Sequence, residues 1–203
     1  MSTRLLLATR NAGKLAELRR LLDSAVPGVE VVGLAEVDEY PEAPETGATF
    51  TENALLKARE AVRWTGLPAV ADDSGLAVDA LNGMPGVLSA RWSGRHGDDA
   101  ANTALLLGQL ADVPDARRGA AFVCAAALVL PDGTERVVER EWRGAVVREG
   151  RGTNGFGYDP VFVPEGLEVT SAELSPGEKD ARSHRGQAFA ALVPVIGEVL
   201  ADR

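Results

Sequence analysis

Asp72 and Asp73 stand side by side at the end of an apolar run, Leu67-Pro68-Ala69-Val70-Ala71, and are followed by Ser74-Gly75-Leu76. Small and β-branched residues after a proline read as a buried strand. Two like charges about 4 Å apart repel by roughly 4 kcal/mol at an effective dielectric of about 20. A buried strand carrying both needs a cation to offset that repulsion, and a divalent metal ion or a lysine would serve. Gly75 permits a tight turn, which would set the acids at the carboxyl end of the strand, where open α/β sheets hold ligands. Extended backbone sends neighbouring side chains to opposite faces, so one acid of the pair is expected to face a ligand directly. A polar turn with Asp as a local cap is the plain structural alternative.

Three further clusters have residue types suited to chemistry. Thr9-Arg10-Asn11-Ala12-Gly13-Lys14 falls at a strand-to-helix junction. A helix N-terminus with free N–H groups and a lysine in its first turn suits phosphate. Alone, the same residues read as a cap and a surface lysine. Glu45-Thr46-Gly47 precedes Glu52, Asn53 and Lys57, and the last two share a helical face. Lys57 would meet phosphate or balance the acids if that face lines a site. Otherwise it is half of a solvated polar pair. Gly152 to Pro160 and then Lys179, Ser183, His184 and Arg185 form the last cluster. Glycines on both sides of Phe156 leave room for a planar ligand on its ring. His184 and Arg185 are donors able to read ring oxygens and nitrogens. A glycine-rich hairpin and a helix cap at Ser183 are the structural alternative.

The elements that position these groups follow from periodicity. Arg4 to Thr9 reads as a strand, followed by a helix capped by Asn11 with Leu15, Leu18, Leu21 and Leu22 on one stripe. A strand over 29–34 follows the Pro27-Gly28 turn, then an acidic loop over 35–48. A helix is expected over 49–65, with Phe50, Ala54, Ala58 and Ala61 inward, then a strand over 69–72. A helix over 98–110 should bury Ala101, Leu105, Leu106 and Leu110. Strands over 120–130 and 134–148 flank the hairpin turn Pro131-Asp132-Gly133-Thr134. A short strand at 161–163 and a helix over 186–201 containing Pro194 close the chain. Early alternation of strand and helix with a late hairpin predicts an α/β fold with a mixed sheet.

Composition sets the outer bounds. The chain has 203 residues, 45% hydrophobic and 25% charged, which is ordinary for a globular protein and enough for one large domain. A net charge of −9 argues against a general nucleic-acid binder. Cys124 is the single cysteine, inside an apolar run too short for a membrane span. No secretory signal is visible at the N-terminus, so cytoplasmic residence is expected. No G-x-x-x-x-G-K-[ST] loop, G-x-S-x-G elbow or His/Cys zinc cluster is present.

In order along the chain, the clusters resemble the inosine triphosphate pyrophosphatase family, the XTP/dITP diphosphatases. The residues that carry the likeness are Thr9-x-Asn11-x-x-Lys14, Glu45-Thr46-Gly47, Glu52-Asn53-Ala54 with Lys57-Ala58, and Asp72-Asp73-Ser74-Gly75-Leu76. It continues through Pro85-Gly86, Ser89-Ala90-Arg91, Gly155-Phe156-Gly157-Tyr158-Asp159-Pro160, Glu178-Lys179 and Ser183-His184-Arg185-Gly186. The resemblance implies one domain over 1–203, with an elongated mixed β-sheet flanked by helices and two lobes with the active-site cleft between them. It also implies a homodimer that touches neither nucleic acid nor membrane. The implied reaction is Mg²⁺-dependent hydrolysis of dITP, ITP and XTP to monophosphate and pyrophosphate, keeping deaminated purines out of DNA and RNA. By resemblance, Glu45 and Asp73 hold the metal, and Asp73, Lys57 and Asp72 are catalytic. Thr9, Asn11, Lys14, Lys57 and Ser74 bind phosphate. Phe156, Gly157, Tyr158, Asp159, Lys179, His184 and Arg185 bind the base. Donors aimed at a 6-keto oxygen would reject adenine, by roughly 10⁴-fold in sites built around such a bond.

Overall fold

A computed structural model of the chain describes residues 3–9, 15, 18, 19, 22, 26, 28–41 and 44–201. Its strands are β1 (Thr3–Leu7), β2 (Val29–Gly33), β3 (Ala69–Val78), β4 (Gly119–Val129), β5 (Glu135–Val146) and β6 (Phe162–Pro164). Its named α-helices are α1 (Phe50–Thr65), α2 (Asp99–Gln109), α3 (Pro176–Arg182) and α4 (His184–Ala201). The strands form one mixed sheet in the order β2-β1-β3-β4-β5-β6. β1 pairs in parallel with β2 and β3, while β5 and β6 are antiparallel. The expected α/β class and mixed sheet are therefore present. The expected cap at Asn11, the stripe residue Leu21 and the turn residue Pro27 lie outside the described residues, whereas Leu15, Leu18 and Leu22 are helical.

Two compact units divide the chain. The first comprises residues 1–73, 124–139 and 185–203, and the second 74–123 and 140–184. In the first unit, Leu5 and Leu7 pack with Phe189, Leu192 and Ile196 of α4, whereas Leu6 packs with Ala61 of α1. The side-chain period of two thus buries β1 on both faces, one under each helix. β3 obeys the same parity: Val70 joins the α4 side and Ala69 the α1 side. Helix α1 is fixed at both ends. Thr49 Oγ1 accepts from the Glu52 N–H at 3.1 Å, and Gly66, at φ +67°, donates to Val62 O.

The second unit has its own core, including Leu76, Val78, Leu106, Phe122, Tyr158 and Phe162. Phe122 and Phe162 meet edge to face with ring centroids 4.7 Å apart. In the first unit, the hairpin turn forms as expected, with Gly133 at φ +87° and Thr134 N–H donating to Asp132 Oδ1.

Several expectations are corrected. β3 runs to Val78 rather than ending at Asp72, so the acids lie in mid-strand. Gly75 makes no turn there. It lets another segment approach, because a Cβ would sit 2.4 Å from Ser89 Oγ and 2.5 Å from Gly86 O. Ser89 Oγ accepts the Leu76 N–H at 2.8 Å and carries the strand onward. In α2, Leu105 is exposed and Ala101 half-buried, and the buried residues are Asn102 and Leu106, with Leu110 buried just past the helix end. Asn102 is drawn inward because its Oδ1 accepts from Ser93 N–H and its Nδ2 donates to Ala90 O. The strand expected at 161–163 starts one residue later, after a 3₁₀ turn over Asp159–Val161. Helix α3 was not expected. Its signal is the Ser175-Pro176-Gly177-Glu178 capping box.

Arg118 is the second unit's most deeply buried cation. Its guanidinium donates to Leu110 O at 2.6 Å, Val146 O at 2.7 Å and Val147 O at 3.1 Å. Burial, and then Arg148, lower its pKa from the usual arginine value, yet the three carbonyls hold the cation in place. Arg118→Met should lower unfolding free energy by about 3 kcal/mol, read by urea denaturation. A loss under about 1 kcal/mol would show that the carbonyls find other donors.

Candidate active site

β1 ends at Leu7, which pairs with Val70, and the Ala8 N–H donates to Val70 O at 2.8 Å. β3 continues, so Asp72 and Asp73 extend past the carboxyl end of β1. The strand order β2-β1-β3 reverses direction at this point, and open α/β sheets hold ligands outside the strand ends at such a reversal. Thr9, half-buried, lies just beyond the end of β1, after Ala8.

Parity then distributes the acids. Asp73 shares the face of Ala69, under α1. On that helix Asn53, Lys57 and Ala61 are spaced by four and form one stripe. The Lys57 ammonium donates to Asp73 Oδ1 at 2.9 Å and to Glu45 Oε1 at 3.0 Å. Asn53 Nδ2 donates to Asp73 Oδ2 at 3.1 Å. Asp72 shares the face of Val70, under α4, and its carboxylate faces Arg185 Nε at 3.5 Å. The adjacent acids therefore have separate cations, one on each face of the sheet.

Burial, the largest influence, pushes the Asp73 carboxyl above the ordinary aspartate range. The Lys57 charge and hydrogen bond oppose it, and Glu45 adds to the rise. For Lys57, burial is again the largest influence and acts downward, but Asp73 and then Glu45 outweigh it and leave the pKa raised. The two shifts have different causes: burial dominates at Asp73, whereas at Lys57 the two carboxylates together overcome burial and hold the ammonium charged. Among the described residues, no group of three or more His, Cys, Asp or Glu side chains forms a metal site. Glu45 and Asp73 still present two hard oxygens within 3.0 Å of one nitrogen. That donor set suits a divalent cation that takes one or two protein carboxylates and fills its remaining positions with water and phosphate.

In the second unit, a glycine-dense loop presents Phe156, which is 53% exposed. Beneath it, Asp159 is only 2% exposed. Asp159 Oδ2 accepts from the Phe156 N–H at 2.8 Å and from the Lys179 ammonium, and Oδ1 accepts from Ser171 Oγ at 2.8 Å. Lys179 Nζ lies 5.2 Å from the centroid of the Phe156 ring. The Gly157 N–H donates to Asp99 Oδ2 at 2.7 Å. Tyr158 turns into the core and donates to Ser89 O at 2.9 Å, and burial followed by Asp99 raises its pKa far above the phenol range. His184 stacks on Phe122 at 4.9 Å and is buried.

The structure thus gathers Glu45, Lys57 and Asp73 in one cluster, Asp72 and Arg185 in a second, and Phe156, Asp159 and Lys179 in a third. Tyr158 and Asp159 are framework, with their polar atoms turned to protein. Ser74 continues β3 beyond Asp73. The expected phosphate ligands Asn11 and Lys14 lie outside the described residues. Nothing local in Thr170-Ser171-Ala172 marks Ser171. Asn53 shares the Lys57 face, and its signal in the sequence is a polar amide beside the inward-facing Ala54, Ala58 and Ala61.

The family model described as the Ham1 family matches residues 5–195. A Nocardia farcinica protein named dITP/XTP pyrophosphatase is 68% identical over 201 residues, 98% of this chain and 97% of its own. Among solved structures, the Mycobacterium abscessus nucleoside-triphosphatase / dITP/XTP pyrophosphatase is 67% identical. It superposes with a TM-score of 0.83 over 96% of this chain and 100% of its own. A HAM1 protein from Coxiella burnetii, 43% identical, superposes with a TM-score of 0.90 over 97% and 99% of the two chains.

Replacing Lys57 by Met leaves Glu45 and Asp73 without their shared cation. The Asp73 carboxyl, already raised by burial, then loses the charge that opposes the rise and moves further above its unfolded value, so the penalty grows as pH rises and fades once it is protonated in both states. Lys57→Met should cost about 2 kcal/mol at pH 7 and progressively less toward pH 4, in denaturation at each pH. A penalty independent of pH would assign Lys57 a packing role only.

Proposed function

This chain belongs to the Ham1 family, and on that footing we propose that it is a nucleoside triphosphate pyrophosphatase for non-canonical purine nucleotides. It splits dITP, ITP and XTP between the α and β phosphates, giving the monophosphate and pyrophosphate. The observation that carries this reading is the lysine-bridged pair of carboxylates, Glu45 and Asp73, lodged past the end of β1. The names of the relatives and the ordered motifs along the chain support it.

Glu45 and Asp73 would hold Mg²⁺, whose oxygen preference matches these donors. When bound, the ion supplies charge neutralisation at the phosphates and lowers the pKa of a coordinated water. Asp73, its Oδ2 held by Asn53, orients the attacking water and accepts its proton. Lys57 then turns its charge to phosphate oxygens. Thr9, Asn11, Lys14 and Ser74 complete the phosphate contacts, since phosphoryl chemistry rests mainly on positioning and charge. Phe156 offers its exposed ring to the base. Lys179, Gly157, His184 and Arg185 read its edge, with Tyr158 and Asp159 holding that set in place. Asp72 serves by orienting Arg185. The whole chain, 1–203, works as one domain. It acts on free nucleotides in the cytoplasm as a homodimer, away from nucleic acid and membrane. No helix among the described residues is long and apolar enough to cross a bilayer.

Pyrophosphate release from dITP, XTP, dATP and dGTP, with and without Mg²⁺, tests the reading. The first two should exceed the others in kcat/KM by roughly 10²-fold or more. Equal rates on all four would remove the specificity. Asp73→Asn should lower kcat by roughly 10²–10⁴-fold with the thermal midpoint retained, and near-normal turnover would remove Asp73 from the chemistry. Arg185→Ala should narrow the gap between dITP and dATP, and unchanged selectivity would count against base reading by Arg185.

A further inference from the structure

We propose that Asn53 is a positioning residue for this reaction, a strap that holds Asp73 and the Glu45 loop in one fixed relation. The inference rests on the pyrophosphatase reading of the same cluster. Asn53 is fully buried on α1, at 0% exposure, among Ala54, Ala58 and Ala61. Asn is a poor residue for a helix interior, and burying its amide is unfavourable unless both ends are bonded. An apolar side chain would be the default choice at such a position. Both ends of this amide are in fact used, in opposite directions. Oδ1 accepts the Gly47 N–H at 2.8 Å, and Nδ2 donates to Asp73 Oδ2 at 3.1 Å. Only this orientation satisfies both neighbours, because an N–H needs an acceptor and a carboxylate needs a donor.

Two consequences follow for the cluster. Pinning Oδ2 fixes the Asp73 rotamer and leaves Oδ1 turned to Lys57. Gly47 lies two residues after Glu45, so tying its N–H to α1 also sets where the Glu45 carboxylate arrives. The approach leaves no room for a side chain. A Cβ at Gly47 would sit 2.7 Å from Asn53 Oδ1 and 2.7 Å from Glu52 Cβ. Neighbouring bonds tighten the same junction, since the Ala48 N–H donates to Glu52 Oε2 at 2.6 Å. One amide thus couples a loop ligand to a strand ligand. Outer partners of this kind typically matter by about 10–100-fold in metal affinity or activity.

The test uses the full chain without nucleotide and Mn²⁺ alone as probe, with free Mn²⁺ read by electron paramagnetic resonance. Asn53→Ala should weaken Mn²⁺ binding by about 10–100-fold and lower kcat on dITP comparably. The ratio of dITP to dATP rates should stay unchanged, because the base contacts are untouched. Gly47→Ala presses on the same amide from the loop side and should reproduce the Mn²⁺ loss in a chain that still folds, with a lowered thermal midpoint. It decides the matter if Asn53→Ala does not fold. Asn53→Ala combined with Glu45→Gln should lose no more Mn²⁺ affinity than the weaker single variant, since both act through one site. Mn²⁺ affinity within about twofold of the parent in Asn53→Ala and Gly47→Ala, or fully additive losses in the double variant, would overturn the strap. A parent chain that binds Mn²⁺ yet releases no pyrophosphate from any purine triphosphate would instead overturn the enzymatic reading, leaving the Mn²⁺ comparison valid.

Discussion

Two carboxylates buried side by side in the middle of a strand are tolerable only if each has its own positive partner. That requirement organises the first unit. Alternation along β3 sends Asp72 toward α4 and Asp73 toward α1, and each helix brings a cation to meet its acid: Arg185 near the start of α4 and Lys57 in the second turn of α1. The helices are held at those heights by apolar packing further along the same faces, where Ala61 and Ala69 share one hydrophobic cluster and Phe189 and Val70 share the other. Packing therefore sets the register, and the register delivers the charges.

The second unit repeats the device with different chemistry. Asp159 is again a buried carboxylate with its oxygens divided between tasks. One takes Ser171, and the other takes Lys179 together with the backbone of Phe156. The exposed ring rests on a buried anion, so its loop has a defined shape despite a run of glycines. Gly155 shows how close the fit is, since a Cβ there would meet both the Asp159 carboxylate and the Lys179 ammonium. In both units a buried carboxylate has its two oxygens held by different partners.

Much of this was legible in the residues. The strand leading to Asp72, the helix over α1 with its alanine face and the Pro131–Thr134 hairpin follow from periodicity and turn chemistry, and the family resemblance agrees with the Ham1 match. What escaped did so for identifiable reasons. Gly75 reads locally as a turn, but its role is to admit Ser89, which approaches from far along the chain in a contact that no local pattern encodes. Leu105 looks inward by hydropathy, yet Asn102 takes that stripe because two backbone groups of the preceding loop demand its amide. Helix α3 is too short for an apolar period, and only its capping box marks it. Adjacent acids announce a need for cations, but which cation serves which acid depends on helices that lie far apart in the chain.

The placement of ion pairs also sorts them by their sensitivity to dissolved salt. Arg59–Glu135, Arg143–Asp79 and Arg148–Asp115 stand in solvent, where mobile ions screen them readily. Lys57–Asp73 and Arg185–Asp72 are largely shut away from those ions. A rise in ionic strength therefore loosens the molecule's outer charge network first and leaves the carboxylate frame nearly as it was, so the protein should hold the shape of its acidic centre across widely different electrolytes.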